Sequence, residues 1–248
     1  MTAQLLEIRG LSRRFGNRTV LDQLDFCLNP QQRRSIAGRS GEGKSTLLRL
    51  IAGFDRPNQG ELRLHGTLAS DGKGIYLAPN QRGLQMVFQD LGLWPSRSVQ
   101  ANVQDALSMQ GHGRGEAKAR SRAALERLGL WALRRRKPNT LSGGEARRLA
   151  FARAMALEPA LLLLDEPFAS LDPVARNQGF EFLEEVLQAT GAAVLLVTHQ
   201  PQEVLALGGD LQILHEGRLT PATAAAEVCS DPNQFLQALC PKAAPNPA

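Results

Sequence analysis

Apolar residues along this chain follow two rhythms. In Leu5 to Ile8 and Val20 to Leu28 apolar and polar positions alternate, the period of a strand with one covered face, and the polar stretch Arg13 to Arg18 separates them as a turn. This pair predicts an antiparallel edge sheet. Leu161 to Leu164 and Ala193 to Val197 are apolar at every position, as strands buried on both faces are. Ser35 to Ala37 and Leu84 to Phe88 read as further short strands. Helical spacing places Leu47, Leu50 and Ile51 on one face of Lys44 to Ala52, with Gly53 as its stop. Gly143 to Leu157 and Pro173 to Gln188 also read as helices, as do Asn102 to Met109 and Glu116 to Leu128, which the glycine-rich loop Gly111 to Gly115 separates. The stretch Gly60 to Gly83 is rich in turn residues and receives no element.

Strands alternating with helices predict an α/β fold with a parallel-sheet core. The expected organisation is a single domain over residues 1–240. Its core and antiparallel β subdomain take residues 1–90 and 157–225, an inserted α-helical subdomain takes 91–156, and 241–248 form a frayed tail. No motif occurs twice.

Composition narrows the picture modestly. A chain of 248 residues with 43% hydrophobic content can bury a sizeable core. Its formal charge of +5 suits an anionic ligand, an anionic membrane or nucleic acid equally well. Cys27, Cys229 and Cys240 lack the spacing of a disulfide framework or a zinc site, which fits a reducing cytoplasm. No apolar run approaches the roughly 18 residues of a membrane span, and the N-terminus has no signal-peptide core. If the protein acts at a membrane, a partner is expected to supply the span.

Three motifs carry chemistry. Gly38-Arg39-Ser40-Gly41-Glu42-Gly43-Lys44-Ser45, followed by Thr46, satisfies G-x-x-x-x-G-K-[ST], a loop whose backbone N–H groups wrap phosphates at the positive end of the next helix. Lys44 is the candidate holder of the β and γ phosphates, and Ser45 a ligand of Mg²⁺. Asp165 and Glu166 follow the apolar strand at its carboxyl end, where open α/β sheets place their ligands. Asp165 is the candidate Mg²⁺ contact and Glu166 the general base for an attacking water; carboxylates at a strand end can also be purely structural. Leu141 to Glu145 read LSGGE. Ser142 and Glu145 have the spacing of a capping box, and Gly143 and Gly144 leave that helix start bare to a phosphate.

LSGGE followed by ARRLAFARAMALEPALLLLDEPFASLD resembles the signature helix, Walker B strand and D-loop of the ATP-binding cassette family, and the similarity extends from about Leu5 to about Leu219. The resemblance implies a RecA-like P-loop NTPase core that binds ATP with Mg²⁺. It also implies a head-to-tail dimer in which Ser142, Gly143, Gly144 and Glu145 of one subunit meet the γ-phosphate held by the other. Phe15 matches the aromatic that stacks on adenine, and Val20 a second apolar contact to the base; Phe15 can instead serve edge-sheet packing. Gln89 in MVFQD matches the glutamine that links Mg²⁺ and the attacking water to the transporter interface. His199 matches the histidine that bonds the γ-phosphate, and Asp172 the D-loop aspartate that communicates across the dimer.

Several positions depart from the family pattern. Gln31-Gln32 replaces a Gly-Glu pair, Arg34 an apolar strand residue, Glu145 the commoner glutamine, and Gly208-Gly209-Asp210 an Ala-Asp-Arg. Glu42 brings negative charge to the phosphate loop. The basic run Arg134 to Lys137 can meet membrane phosphates or a partner, or form a solvated face.

The function expected from the resemblance is the ATP-hydrolysing subunit of an ABC transporter. The segment FQDLGLWPSRSVQANV resembles the region where a permease helix docks, and with a stand-alone cassette it points to import. Expected partners are integral-membrane permease subunits and a second ATP-binding subunit, with a solute-binding protein as a further candidate and no nucleic acid. The expected location is the cytoplasmic face of the membrane. A soluble cassette ATPase of DNA repair or translation is the alternative; a P-loop kinase or GTPase leaves LSGGE unexplained.

Overall fold

The computed structural model describes residues 4–169 and 171–239; Ser170, Cys240 and the expected tail at 241–248 lie outside the described residues. In chain order the elements are β1 Leu6–Phe15, β2 Arg18–Leu28, β3 Arg33–Ala37, α1 Lys44–Ala52, β4 Gln59–Leu64, β5 Thr67–Asp71 and β6 Leu84–Val87. There follow α2 Val99–Met109, α3 Arg114–Arg127, α4 Gly143–Ala156, β7 Leu161–Asp165, α5 Pro173–Thr190 and β8 Ala193–Thr198. Last come α6 Pro201–Leu207, β9 Asp210–His215, β10 Arg218–Leu219, β11 Thr223–Ala224, α7 Ala225–Cys229 and α8 Pro232–Leu239. Two compact units result, one from residues up to Arg82 and from Val194 onward, the other from Gly83–Ala193.

The first unit holds an antiparallel sheet in the order β2-β1-β4-β5. Its first hairpin is tighter than expected. Strand pairing reaches Phe15↔Arg18, so the turn is only Gly16 and Asn17 instead of Arg13 to Arg18. Strands β4 and β5 occupy the stretch left unassigned; His65 and Gly66, both at positive φ, form the two-residue turn that matches the twist of a hairpin. Strand β3 lies in the same unit, parallel to β8 on one side and β9 on the other. Helix α1 buries Leu47, Leu48, Leu50 and Ile51. Beneath β3 and β9, α7 and α8 add Cys229, Phe235 and Leu239 to an apolar cluster with Ile213 and Val204, and this burial pushes the Cys229 thiol up to about 11.

Arg82 closes the end of α1. It is buried, and its guanidinium donates to the carbonyls of Leu50, Ile51, Leu77 and Ala69. Burial lowers its pKa to about 10. Since it stays protonated at neutral pH folded or unfolded, it complements the carbonyl end of the helix without adding pH dependence there.

In the second unit β6 and β7 run parallel, from Leu84↔Leu161 to Val87↔Leu164. Helix α2 begins three residues earlier than expected because Ser98 caps it, accepting from the Ala101 N–H. The carbonyls of Arg136 and Arg134 take the N–H groups of Val99 and Gln100. Arg134 also lies over the Trp131 ring at 4.8 Å and Arg136 bonds Thr140, so half of the basic run serves local structure. Helix α3 starts at Arg114, inside the expected glycine-rich loop, with Gly113 as its cap.

Candidate functional site

The phosphate loop belongs to the first unit and is held from several sides. Gly41 and Gly43 take φ of 84° and 102°, where a side chain would strain the backbone. A Cβ on Gly43 would also sit 2.7 Å from Val20 Cγ1, so Val20 packs directly beneath the loop. Lys44, only 5% exposed, folds its ammonium back onto the carbonyls of Gly38 (2.8 Å) and Arg39 (2.9 Å). Arg18 reaches the Gly41 carbonyl.

Glu42 turns away from this loop's bowl. Its carboxylate accepts the Glu216 N–H at 2.9 Å and lies 3.6 Å from His215 Nδ1, so its charge is spent on the β9–β10 turn. Helix α1 then begins with no side-chain cap and no acidic residue in its first turn. The positive end of a helix that follows a glycine-turned loop is an anion site, so the loop and helix start fit a nucleotide phosphate.

Phe15 stands at the end of β1, 49% exposed. His199, also exposed, directly follows β8. Its neighbours form a clamp that the motif reading missed: the Thr198 hydroxyl donates to the buried Glu203 carboxylate at 2.6 Å and accepts the Gln200 N–H at 3.1 Å.

The family departures at Gln32, Arg34 and Asp210 turn out to be one arrangement. Arg34 is buried on β3; its Nη1 donates to Gln212 Oε1 at 2.9 Å and its Nη2 lies 3.2 Å from Asp210 Oδ2. Gln32 donates to the same Asp210 oxygen, and the guanidinium faces the Phe26 ring at 5.8 Å. A charge in the strand is thus matched by an acid one strand over. Asp210→Ala is expected to cost about 1–3 kcal/mol, because it leaves a desolvated cation short of its partner. Arg34→Leu should cost less, since Asp210 keeps 42% of its side-chain surface in water. Urea unfolding of both variants and the double variant checks this, with the double loss smaller than the sum of the single losses.

The second unit carries the remaining candidates. Asp165 ends β7, and Glu166 follows at φ 46°, a left-handed conformation that an L-residue adopts only when its surroundings impose it. Pro167 and Phe168 follow it and are buried; the Phe168 ring stacks on Phe151 at 5.9 Å and meets Phe180 at 4.3 Å. Gln89 is exposed just after β6. The loop beyond it is built rather than slack. The fully buried Asn102 accepts the Trp94 N–H and donates to the carbonyls of Trp94, Arg97 and Ser98. Arg153 donates to the carbonyls of Gly92 and Leu91. The sequence reading did not single out Asn102 or Arg153.

Helix α4 opens with the expected capping box: Ser142 Oγ accepts the Glu145 N–H at 3.2 Å and the Glu145 carboxylate accepts the Ser142 N–H at 2.8 Å. That N–H holds the Glu145 carboxyl below its usual pKa. The box is therefore complete at neutral pH and loosens only as acid protonates Glu145. Gly143 and Gly144 are exposed, with nothing near where a Cβ would stand. Asp172 caps α5, its Oδ1 accepting from the N–H groups of Val174 and Ala175.

A family model described as ABC transporter matches residues 21–169 of the chain. The chain belongs to the ABC transporter family. The match embraces the phosphate loop, Gln89, the LSGGE helix start, Asp165 and Glu166, and the α/β P-loop fold is the family's own. Phe15, Val20, Asp172 and His199 lie outside that stretch. The spermidine/putrescine import ATP-binding protein PotA of Pseudomonas aeruginosa is 39% identical over 232 residues, 94% of this chain and 62% of that protein. The Fe(3+) ions import ATP-binding protein FbpC of Streptomyces avermitilis is 39% identical over 228 residues, 92% of this chain and 65% of that protein. The aliphatic sulfonates import ATP-binding protein SsuB 2 of Pseudomonas aeruginosa is 41% identical over 214 residues, 86% of this chain and 73% of that protein. This ABC chain therefore spans less than two thirds of the length of the first two.

Proposed function

We propose that the chain is the ATP-binding and ATP-hydrolysing subunit of an ABC importer, acting at the cytoplasmic face of a membrane through separate permease subunits. The observation that carries this reading is the loop Gly38 to Ser45, turned at Gly41 and Gly43 by φ of 84° and 102° with the Lys44 ammonium folded onto the Gly38 and Arg39 carbonyls. It leads into α1 without a side-chain cap, whereas α4 and α5 are capped by Ser142 and Asp172. Import is supported by these three relatives, each an import ATP-binding protein. No relative among them supports the DNA repair or translation alternative.

The residue roles follow the resemblance. Lys44 and the N–H groups from Arg39 to Thr46 hold the phosphates, Phe15 and Val20 receive the base, Glu166 takes the proton of the attacking water, and His199 bonds the γ-phosphate. Ser45, Gln89 and Asp165 would hold Mg²⁺, which offsets phosphate charge. The described residues contain no cluster of three or more His, Cys, Asp or Glu side chains suited to a metal ion, so most of the ion's ligands would be phosphate oxygens and water. Ser142 to Glu145 and Asp172 act on the nucleotide of a second copy. The braced loop from Gln89 to Ser98 offers the permease a fixed surface, and a solute-binding protein would complete the importer.

No helix among the described residues is long and apolar enough to cross a membrane, so the permease must supply the spans. The named cargoes of the relatives, a polyamine, ferric ion and sulfonates, occur at nearly equal identity, so similarity does not select a solute. The expected result is that the chain copurifies with a multi-span permease, and that the complex hydrolyses ATP faster when its solute is supplied. A chain that hydrolyses ATP but copurifies with repair or ribosomal proteins instead would overturn the transport reading.

A further inference from the structure

The aromatic platform at Phe15 has a backing that the family motifs do not describe. Arg13, two positions earlier on β1 and next to an irregularity in the β1–β2 register, places its guanidinium carbon 4.6 Å from the centre of the Phe15 ring. The group is not a loose surface cation. Its Nη1 donates to the Arg56 carbonyl at 2.8 Å, its Nη2 lies 3.8 Å from Asp55 Oδ1, and only 17% of the side chain is exposed. Asp55 is itself paired with Arg49 at 2.8 Å, so the anchor for Arg13 is fixed in turn.

We infer that Arg13 is a positioning residue for the nucleotide base: it covers one face of Phe15, fixes the ring, and leaves the opposite face as the stacking surface. The inference rests on the proposed ATP-binding function and deepens it. The physical grounds are two. A planar guanidinium stacks on an aromatic face as an ammonium cannot, and is held there by the ring's quadrupole. A ring half exposed at the end of a strand, with only Gly16 and Asn17 before the chain turns back, leaves half of its surface without packing that would fix its χ angles. Ordering it before ligand arrives removes part of the entropy lost when a base stacks.

The test separates the base from the phosphates. Calorimetric titration of the full chain with Mg-ATP and with Mg-tripolyphosphate reads both contributions in one protein. Arg13→Leu is expected to weaken ATP binding about two- to fivefold, the size of an exposed cation–π contact, and to leave tripolyphosphate affinity unchanged. Arg13→Lys, which keeps the charge and loses the planar face, should fall between the parent and Arg13→Leu. Phe15→Ala should show a larger loss confined to ATP. The inference is overturned if both ligands bind Arg13→Leu as they bind the parent, if both weaken equally, or if ATP binds more tightly because Arg13 had covered the face the base needs. ATP binding unchanged in Phe15→Ala would instead remove Phe15 as the platform, and a parent chain that binds neither ligand would remove the proposed function itself.

Discussion

Glu166→Gln is expected to reduce ATP turnover by about 10²- to 10⁴-fold, the usual contribution of a positioned general base, while ATP still binds. Glutamine keeps the size of glutamate but loses its negative charge and its ability to take a proton, and turns one acceptor oxygen into an N–H donor. The backbone should tolerate it: φ is 46° at this position, and glutamate and glutamine both carry a Cβ, so the exchange adds no backbone strain. ATP that is bound and not consumed should hold two copies together. Steady-state phosphate release and equilibrium ATP binding, measured side by side, check the two halves of this expectation. Hydrolysis at the parental rate would take Glu166 out of the reaction.

Ser142→Arg should be as damaging to turnover, about 10²-fold or more for lost positioning and charge stabilisation at the phosphate, for a different reason. It removes the hydroxyl that caps α4 and places a long cation over the bare helix start at Gly143 and Gly144. Loss of the cap alone costs about 1 kcal/mol, too little to unfold a helix that also buries Leu149, Phe151 and Ala152. ATP affinity of the isolated chain should therefore change by less than about twofold, since this helix start serves the nucleotide of the other copy. A collapse of binding in the monomer would place Ser142 on its own chain's nucleotide and contradict the two-copy arrangement.

What could be read in the sequence was what depends on near neighbours along the chain. The Ser142–Glu145 box joins residues three positions apart and formed as its spacing implied. The apolar run before Asp165 became a buried strand because full burial leaves a continuous pattern. Strands β4 and β5 were missed since Gly60, His65 and Gly66 mask a hairpin whose turn, at His65 and Gly66, needs positive φ at both central residues. Arg34 had no account in the sequence because its partner Gln212 lies 178 positions away, and only the parallel pairing of β3 with β9 brings them together. Asn102 and Glu203 were passed over for a similar reason. A buried polar residue looks like any helical asparagine or glutamate until the backbone groups it satisfies are in view.

In the proposed arrangement a second copy's LSGGE completes the nucleotide site, and sedimentation equilibrium with Mg-ATP tests it. The Glu166→Gln chain should sediment at twice the monomer mass with ATP and as a monomer without it. Adding Ser142→Arg to the same chain should return it to the monomer mass while ATP stays bound. A Glu166→Gln chain that binds ATP yet remains monomeric, or a doubly substituted chain that dimerises as readily as the single one, would contradict it.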